Sequence, residues 1–377
     1  MKILIATDSF KDSLSAREVG LALKMGFLKG SPGHTIEILP LADGGEGTVD
    51  AIVDITRGKR ISLQVMDPLM RGTEAFFGVT GDGRTAVIEM AAASGLEKLA
   101  FSERNPWVTS TYGTGQLIAA AMNLGCRRIL VGIGGSATND CGAGMAEALG
   151  VKFLDGRGRP VGKGGGALGG VDRIDVTGLD PRVGETEFLV ACDVTNRLTG
   201  PEGASAVYGP QKGADKQMVQ QLDANLRHFA GKVREELGKE IEQVPGAGAA
   251  GGLGAGMIAF LDAKLDKGFD LVAGMVQLEE KIRKADLVIT GEGKIDHQTR
   301  FGKTPWGVAR LAAGIHKPVI AVTGSMESGS EVLYKEGVTA IFPIIERPMT
   351  LEEAIRHARE MVERTGERIS RTIHIQP

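Results

Sequence analysis

Apolar residues follow two rhythms along this chain, and the change between them divides it. KILIAT (2–7) is an unbroken apolar run, the pattern of a strand buried on both faces. Ser15 and Glu18 are spaced as a capping box, and Val19, Ala22, Leu23 and Phe27 then recur at helical intervals up to Gly30, which sits where a C-terminal cap belongs. IEILPL (36–41) predicts a second strand, and Val49, Ile52, Val53 and Thr56 a second helix that stops at Gly58. The alternation returns late in the chain. DLVIT (286–290), PVIAVT (318–323) and AIFPII (340–345) predict buried strands. Helices fit from Pro305 onward, over 330–336, and as one long final helix capped by Thr350 and Glu353. Strands alternating with helices predict a doubly wound parallel sheet, here assembled from two blocks, 1–60 and 283–377.

The stretch between them, 61–282, has another rhythm. Paired strand segments flank Asp82-Gly83, a hairpin signal. Further strands are predicted at RRILVGI and EFLVACDV, with the glycine-rich loop VGKGGGALGG (161–170) between them. Met218, Leu222, Leu226, Phe229, Val233 and Leu237 mark a long amphipathic helix. The expectation is a second α/β domain inserted into the first.

Composition narrows the function classes. At 377 residues the chain is long enough for two domains, and 42% apolar with 24% charged residues is ordinary for a globular protein. Its 55 glycines are roughly twice the usual ~7% share, and their scatter through well-patterned sequence points to turns and ligand loops. The net charge of −3 and the absence of basic runs argue against nucleic acid as a partner. Cys126, Cys141 and Cys192 form no CxxC pair, and the six histidines form no zinc-binding spacing. No apolar run approaches the ~20 residues of a membrane span, and the apolar start is too short for a signal peptide. A cytoplasmic enzyme with a small-molecule substrate is the expectation; a homo-oligomer stays open.

Ligands of open parallel sheets bind beyond the C-terminal strand ends, and four such ends here carry polar chemistry. They read Asp8-Ser9-Phe10-Lys11, then Asp43-Gly44-Gly45-Glu46-Gly47, then Gly291-Glu292-Gly293-Lys294-Ile295-Asp296, then Gly324-Ser325. Gly44, Gly45 and Gly47 would let backbone N–H groups face an anion at a helix start, while Asp43 and Glu46 would repel that anion unless a cation lay between. Helix capping by the two carboxylates is the structural alternative. In the middle stretch, Gly132-Ile133-Gly134-Gly135-Ser136-Ala137 fits the GxGxxA dinucleotide pattern, but no convincing acidic partner follows ~20 residues on. Ser136, Thr138, Asn139 and Asp140 suit a phosphate or a small polar substrate better. Gly78 to Thr85 nearly spells a P-loop, with Arg84 in place of the lysine, and reads as a hairpin turn. Asp193 and Asn196 follow a strand, and Gln211-Lys212-Gly213 comes soon after. PGAGAAGGLGAG (245–256) is either a phosphate-facing loop or a helix packed closely through small residues.

These segments resemble the bacterial glycerate kinases that lack a P-loop. IATDSFKDSLSA, LADGGEGT, GDGRTAVIEMAAASGL, TSTYGTGQLI, GIGGSATNDCGAGM, ACDVTNRLTGPEGAS, YGPQKGA and VITGEGKIDHQT carry the resemblance in order over essentially the whole chain. It differs at Thr7, where proline is common, and at Cys141, where glycine is common. The resemblance implies two α/β domains, one of them flavodoxin-like, and ATP-dependent phosphorylation of D-glycerate, most readily at the 2-hydroxyl, in a cleft between the domains. On this reading, Lys11, Lys212 and Lys294 are candidates to stabilise phosphate charge. Ser9, Gly44, Gly45, Gly47, Gly134, Gly135, Ser136, Gly291 and Gly293 are candidates for the nucleotide cradle. Asp43, Glu46 and Glu292 are candidates for Mg²⁺, and Asp193 or Asp296 for the catalytic base. Arg71, Arg84 and Arg104 suit the substrate carboxylate, with Asn139, Asp140 and Asn196 as further substrate contacts.

Overall fold

In the computed structural model, which describes residues 1–296, 299 and 302–373, the opening apolar run forms the strand Lys2–Thr7. It pairs in parallel with Thr35–Ile38 on one side and Leu287–Ile295 on the other. Val319–Met326 and Val338–Pro343 continue the sheet, also in parallel. Counted along the chain, the five strands lie in the order 2-1-3-4-5, the flavodoxin-like arrangement. The order reverses between Lys2–Thr7 and Leu287–Ile295, and ligands of such sheets bind at that switch point. This sheet belongs to a unit made of Met1–Asp43, Asp50–Thr56 and Lys267–Pro377; Gly44–Val49 and Arg57–Asp266 form a second unit.

The first unit's core is built from the residues that the periodicity selects. Helix Ala16–Gly30 opens with the Ser15–Glu18 capping box and buries Val19, Ala22, Leu23 and Phe27. Gly30 stays helical, and Ser31, in extended conformation, takes the cap position. The facing helix Ala358–Thr372 approaches closely because Gly26 has no Cβ to strike the Glu363 carbonyl. The long final helix is two: Leu351–Arg356, with the Thr350–Glu353 capping box, gives way at His357 to Ala358–Thr372. Residues 267–282 lie in this unit, where Phe269 packs over Gly307 and the Lys267 ammonium lies 5.5 Å from the Trp306 ring centre.

One difference from the sequence expectation bears on the site. The strand expected to end at Thr290 runs on to Ile295, and its neighbour runs through Gly324-Ser325 to Met326. Glycines make this extension possible. A Cβ on Gly291 would strike the Val322 carbonyl, and one on Gly324 the Gly293 carbonyl. Gly291 and Gly293 are therefore extended strand residues, and Glu292 projects from within the strand.

The second unit has a six-stranded mixed sheet. Lys264–Asp266, Glu187–Ala191, Arg128–Gly132 and Thr85–Glu89 run parallel, while Gly72–Val79 and Lys59–Met66 complete an antiparallel meander. The turn between Gly72–Val79 and Thr85–Glu89 is the expected hairpin, fixed by the Thr80 hydroxyl donating to Asp82 at 2.6 Å. Helix Lys216–Leu237 buries Leu222, Leu226, Phe229 and Val233, with Phe229 tilted against Phe153 at 5.4 Å between ring centres. Among the described residues no helix is long and apolar enough to cross a membrane.

Candidate active-site clusters

At the switch point of the parallel sheet, three carboxylates gather. Asp8 follows the first strand, Asp43 follows the second, and Glu292 lies in the third. Asp8 accepts from the Ser9 N–H at 2.6 Å and from the Thr304 hydroxyl at 2.7 Å. Burial, with the negative charges of Asp43 and then Glu292 beside it, still pushes Asp8 up to about 7. Glu292 is 8% exposed, accepts from the Thr299 hydroxyl at 2.6 Å, and pairs with Lys303 at 3.4 Å. Burial holds its carboxyl above the usual range, while Lys303 and Thr299 pull the other way. Asp296 is equally buried and has Lys303 at 4.0 Å and Lys294 at 3.8 Å. Lys294 itself reaches Glu327 at 2.7 Å, and Lys11 is exposed.

This crowding of carboxylates is what a cation would relieve. Among the described residues no three His, Cys, Asp or Glu side chains are arranged as a metal cage. Mg²⁺ asks for less than that: one or two carboxylates, the substrate phosphates and retained waters. Asp43 and Glu292 fit such a partial site. Asp8, Thr299, Lys303 and Thr304 join them without having been singled out from sequence. Asp8 was visible as a strand end, but Lys303 caps and Thr304 opens the helix Thr304–Ala313, far along the chain with no local mark of their partners. His297 and Gln298 of the VITGEGKIDHQT segment lie outside the described residues.

The Asp43-to-Gly47 turn divides between the units after Asp43. In the second unit, Gly44 and Gly47 adopt φ of +90° and +86°, and Glu46 is exposed. Gly44 rests on the end of Arg128–Gly132, where a Cβ on Gly132 would strike its carbonyl. Helix Thr48–Thr56 begins with the Val49 N–H donating to the Glu89 carboxylate at 2.8 Å. A protein carboxylate thus already meets one helix-start donor that sequence reasoning left for a ligand.

The second unit holds a different constellation, centred on a buried lysine. Lys212 is 1% exposed, and its ammonium donates to the Ser136 hydroxyl and the Thr138 carbonyl, both at 2.7 Å. Burial lowers it from 10.5 to about 7, against the pull of Asp140. Asn139 donates to the Ser205 hydroxyl at 3.0 Å, and its Oδ1 has no protein partner; nor has the Thr138 hydroxyl. Arg104 lies near Lys212, since a Cβ on Gly213 would strike the Arg104 carbonyl, and its Nε has no partner. Asp140 serves the loop itself. It accepts from the Thr111 N–H at 2.8 Å, the Thr111 hydroxyl at 2.9 Å, and the Gly142 and Gly144 N–H groups at 3.2 Å. Its carboxylate occupies the start of the short helix Ala143–Ala148, where the dinucleotide pattern would need a pyrophosphate.

Glycines beneath this loop explain PGAGAAGGLGAG. Ala250, Gly251 and Gly252 all have positive φ, and Gly251 and Gly256 lie against the carbonyls of Thr138 and Cys141. The segment is close packing that holds the 136–142 loop. Cys141 itself has φ of +51°, a left-handed conformation in which glycine is the unstrained residue. The remaining candidates lie elsewhere. Arg71 is paired with Glu103 and Asp67, each at 2.6 Å, and Arg84 is an exposed turn residue. Asp193 is exposed after Glu187–Ala191, and Asn196 exchanges hydrogen bonds with the Tyr208 hydroxyl at 2.7 Å and the Glu202 carbonyl at 2.8 Å.

Known proteins share this chain's features from end to end. Residues 3–374 match the model of the glycerate kinase family. The chain is 51% identical over 375 residues to a glycerate kinase of Bacillus subtilis, covering 100% of this chain and 98% of that one. It is 48% identical over 375 residues to the glycerate 2-kinase of Escherichia coli K12, with 100% and 98% covered. A crystal structure from Salmonella typhimurium LT2, of a protein provisionally named glycerate kinase 2, superposes with a TM-score of 0.91 at 46% identity, over 99% of this chain and 98% of that one.

Proposed function

The chain belongs to the glycerate kinase family, and we propose that it transfers the γ-phosphoryl group of ATP to the 2-hydroxyl of D-glycerate, giving 2-phospho-D-glycerate and ADP. The observation that carries the nucleotide part of this reading is the carboxylate group Asp8, Asp43 and Glu292 at the switch point of a flavodoxin-like sheet. The choice of hydroxyl draws on the relative named glycerate 2-kinase.

Phosphoryl transfer depends on positioning and charge neutralisation more than on covalent chemistry. Asp43 and Glu292 would hold Mg²⁺, which when bound neutralises phosphate charge; Asp8 would support them, and Glu46 is the outlying candidate. In the second unit, Arg104 has a donor unused by the protein and suits the glycerate carboxylate better than Arg71, whose guanidinium is already paired. The free Oδ1 of Asn139 would accept a glycerate hydroxyl. Lys212, about half protonated at pH 7, takes up the remaining proton readily when an anion arrives, and so would stabilise phosphate charge. Asp193, which follows the strand Glu187–Ala191, is the preferred base, and Asp296, beside Lys294 and Lys303, the alternative.

A coupled assay of ADP release tests the reading. Turnover should require both D-glycerate and Mg²⁺ and stop on addition of EDTA. ATP loss of equal rate with and without D-glycerate would overturn it.

A further inference from the structure

The first unit contains a cavity of about 310 Å³. It opens beyond the C-terminal ends of three adjacent parallel strands. Phe10 and Lys11 enter from the loop after Lys2–Thr7, Gly293 from Leu287–Ile295, and Gly324 and Ser325 from Val319–Met326. The opposite wall is the chain after Val338–Pro343 and the short helix Leu351–Arg356. That helix is tied across the mouth by the Ser13 hydroxyl, which donates to the Ile355 carbonyl at 3.4 Å.

Three properties restrict the occupant. The walls are hydrocarbon, with Phe10, Ile344, Met349, Leu351 and Ile355 among them, and Leu351 is 77% exposed although it faces a cavity. The floor is bare backbone, because Gly293 and Gly324 carry no side chains and stack where a Cβ on Gly324 would strike the Gly293 carbonyl. Among the described residues, Lys11 is the single charged one of the lining, and none is a carboxylate. A three-carbon hydroxy acid needs several polar partners and would find one cation. A flat, weakly polar ring joined to an anion fits both the slot and the lysine at its edge. The volume lies at the small end of ligand pockets, enough for one nucleobase with its sugar. Asp8 precedes Phe10 by two residues; Glu292 precedes Gly293 and so projects from the opposite face of that strand, and a nucleotide would pass over the strand ends to join the two.

We propose that this cavity holds the purine base of the nucleotide, so that base and metal-bearing phosphates are both bound by the first unit. The inference rests on the kinase reading for the identity of the nucleotide, but binding tests it separately from turnover. Ala354→Phe places a ring in the cavity from the short helix Leu351–Arg356. Met349→Ala widens it, and N6-benzyl-ATP is the matching enlarged probe. With the full-length protein, Mg·ADP affinity by calorimetry should fall at least ~30-fold in Ala354→Phe, with the KM for D-glycerate within about twofold of wild type and an unchanged melting temperature. Met349→Ala should accept N6-benzyl-ATP at least ~10-fold better than wild type does. This gain of function still decides the matter if Ala354→Phe folds poorly. Unchanged Mg·ADP affinity in a folded Ala354→Phe, or no gain for the benzyl analogue in Met349→Ala, overturns the proposal. A wild-type protein that binds Mg·ADP but shows no D-glycerate-dependent turnover would sink the kinase reading while these binding results still judged the cavity.

Discussion

Replacing Lys212 with Met separates a structural lysine from a working one. In the wild type the ammonium is buried against the Ser136 hydroxyl and the Thr138 carbonyl and lowered from 10.5 to about 7. At ~1.4 kcal/mol per pH unit, charging it inside the fold costs ~5 kcal/mol relative to water. Methionine removes that cost and nearly fills the volume, but leaves the Ser136 hydroxyl and Thr138 carbonyl short of a donor, at ~1–3 kcal/mol each. The two effects offset, so the variant should fold with a melting temperature within a few degrees of wild type. The sign of the pH dependence follows from the same shift. Between about 7 and 10.5 the unfolded chain keeps a proton that the folded chain has released, so wild-type stability gains from this group as pH rises. The gain from pH 7 to 9 should be ~2 kcal/mol, and it should be missing in Lys212→Met. If Lys212 stabilises transferring charge, kcat should fall ~10²- to 10³-fold. Urea unfolding at the two pH values and steady-state turnover at pH 7.5 give both readouts. A folded Lys212→Met protein with near-normal kcat would refute the functional role. An unchanged pH slope would refute the buried, neutralised lysine.

Asp43→Asn should lose most activity while the melting temperature holds, whereas Glu46→Gln, in an exposed turn, should be milder; equal loss in both would mean that Glu46 binds metal as directly as Asp43. Gly251→Ala puts a Cβ against the Thr138 carbonyl at a φ of +68°, so calorimetry should show a loss of roughly 2–4 kcal/mol, with turnover failing as the 136–142 loop shifts. Asp193→Asn should lower kcat ~10²- to 10⁴-fold if it is the base, with Mg·ADP affinity little changed. Asp296→Asn as the only inactive variant would transfer that role, and normal turnover in both would leave the loose transition state without a strong base.

Much of the fold was legible because periodicity is a local signal. The five parallel strands, the two capping boxes and the hairpin at Asp82-Gly83 all lie where apolar spacing and turn chemistry put them. The prolonged strand Leu287–Ile295 was not legible. GEGK reads as a loop until a neighbouring strand with its own glycine accepts it as an extension. The site was legible in part. Asp43, Glu292, Ser136 and Asn139 were marked by glycine-rich turns at strand ends. Lys212 became part of the Ser136 loop only through contacts 74 and 76 residues apart in sequence. Thr304 reaches Asp8 across 296 residues, a separation that no spacing rule can bridge. Asp140 shows how little local sequence says of a side chain's partners. Its polar neighbourhood suggested a substrate contact, while its oxygens are taken by the Thr111, Gly142 and Gly144 donors that shape the loop.

Transfer of a phosphoryl group to the 2-hydroxyl of D-glycerate leaves a distinctive product. Proton-coupled phosphorus NMR of a reaction containing the purified protein, Mg·ATP and D-glycerate measures this directly. A new phosphomonoester resonance, split into a doublet by the single C2 proton, should rise as the γ-phosphate signal of ATP declines. A triplet from the C3 methylene would place the phosphate on the other hydroxyl, and the appearance of inorganic phosphate alone would rule out phosphoryl transfer to D-glycerate.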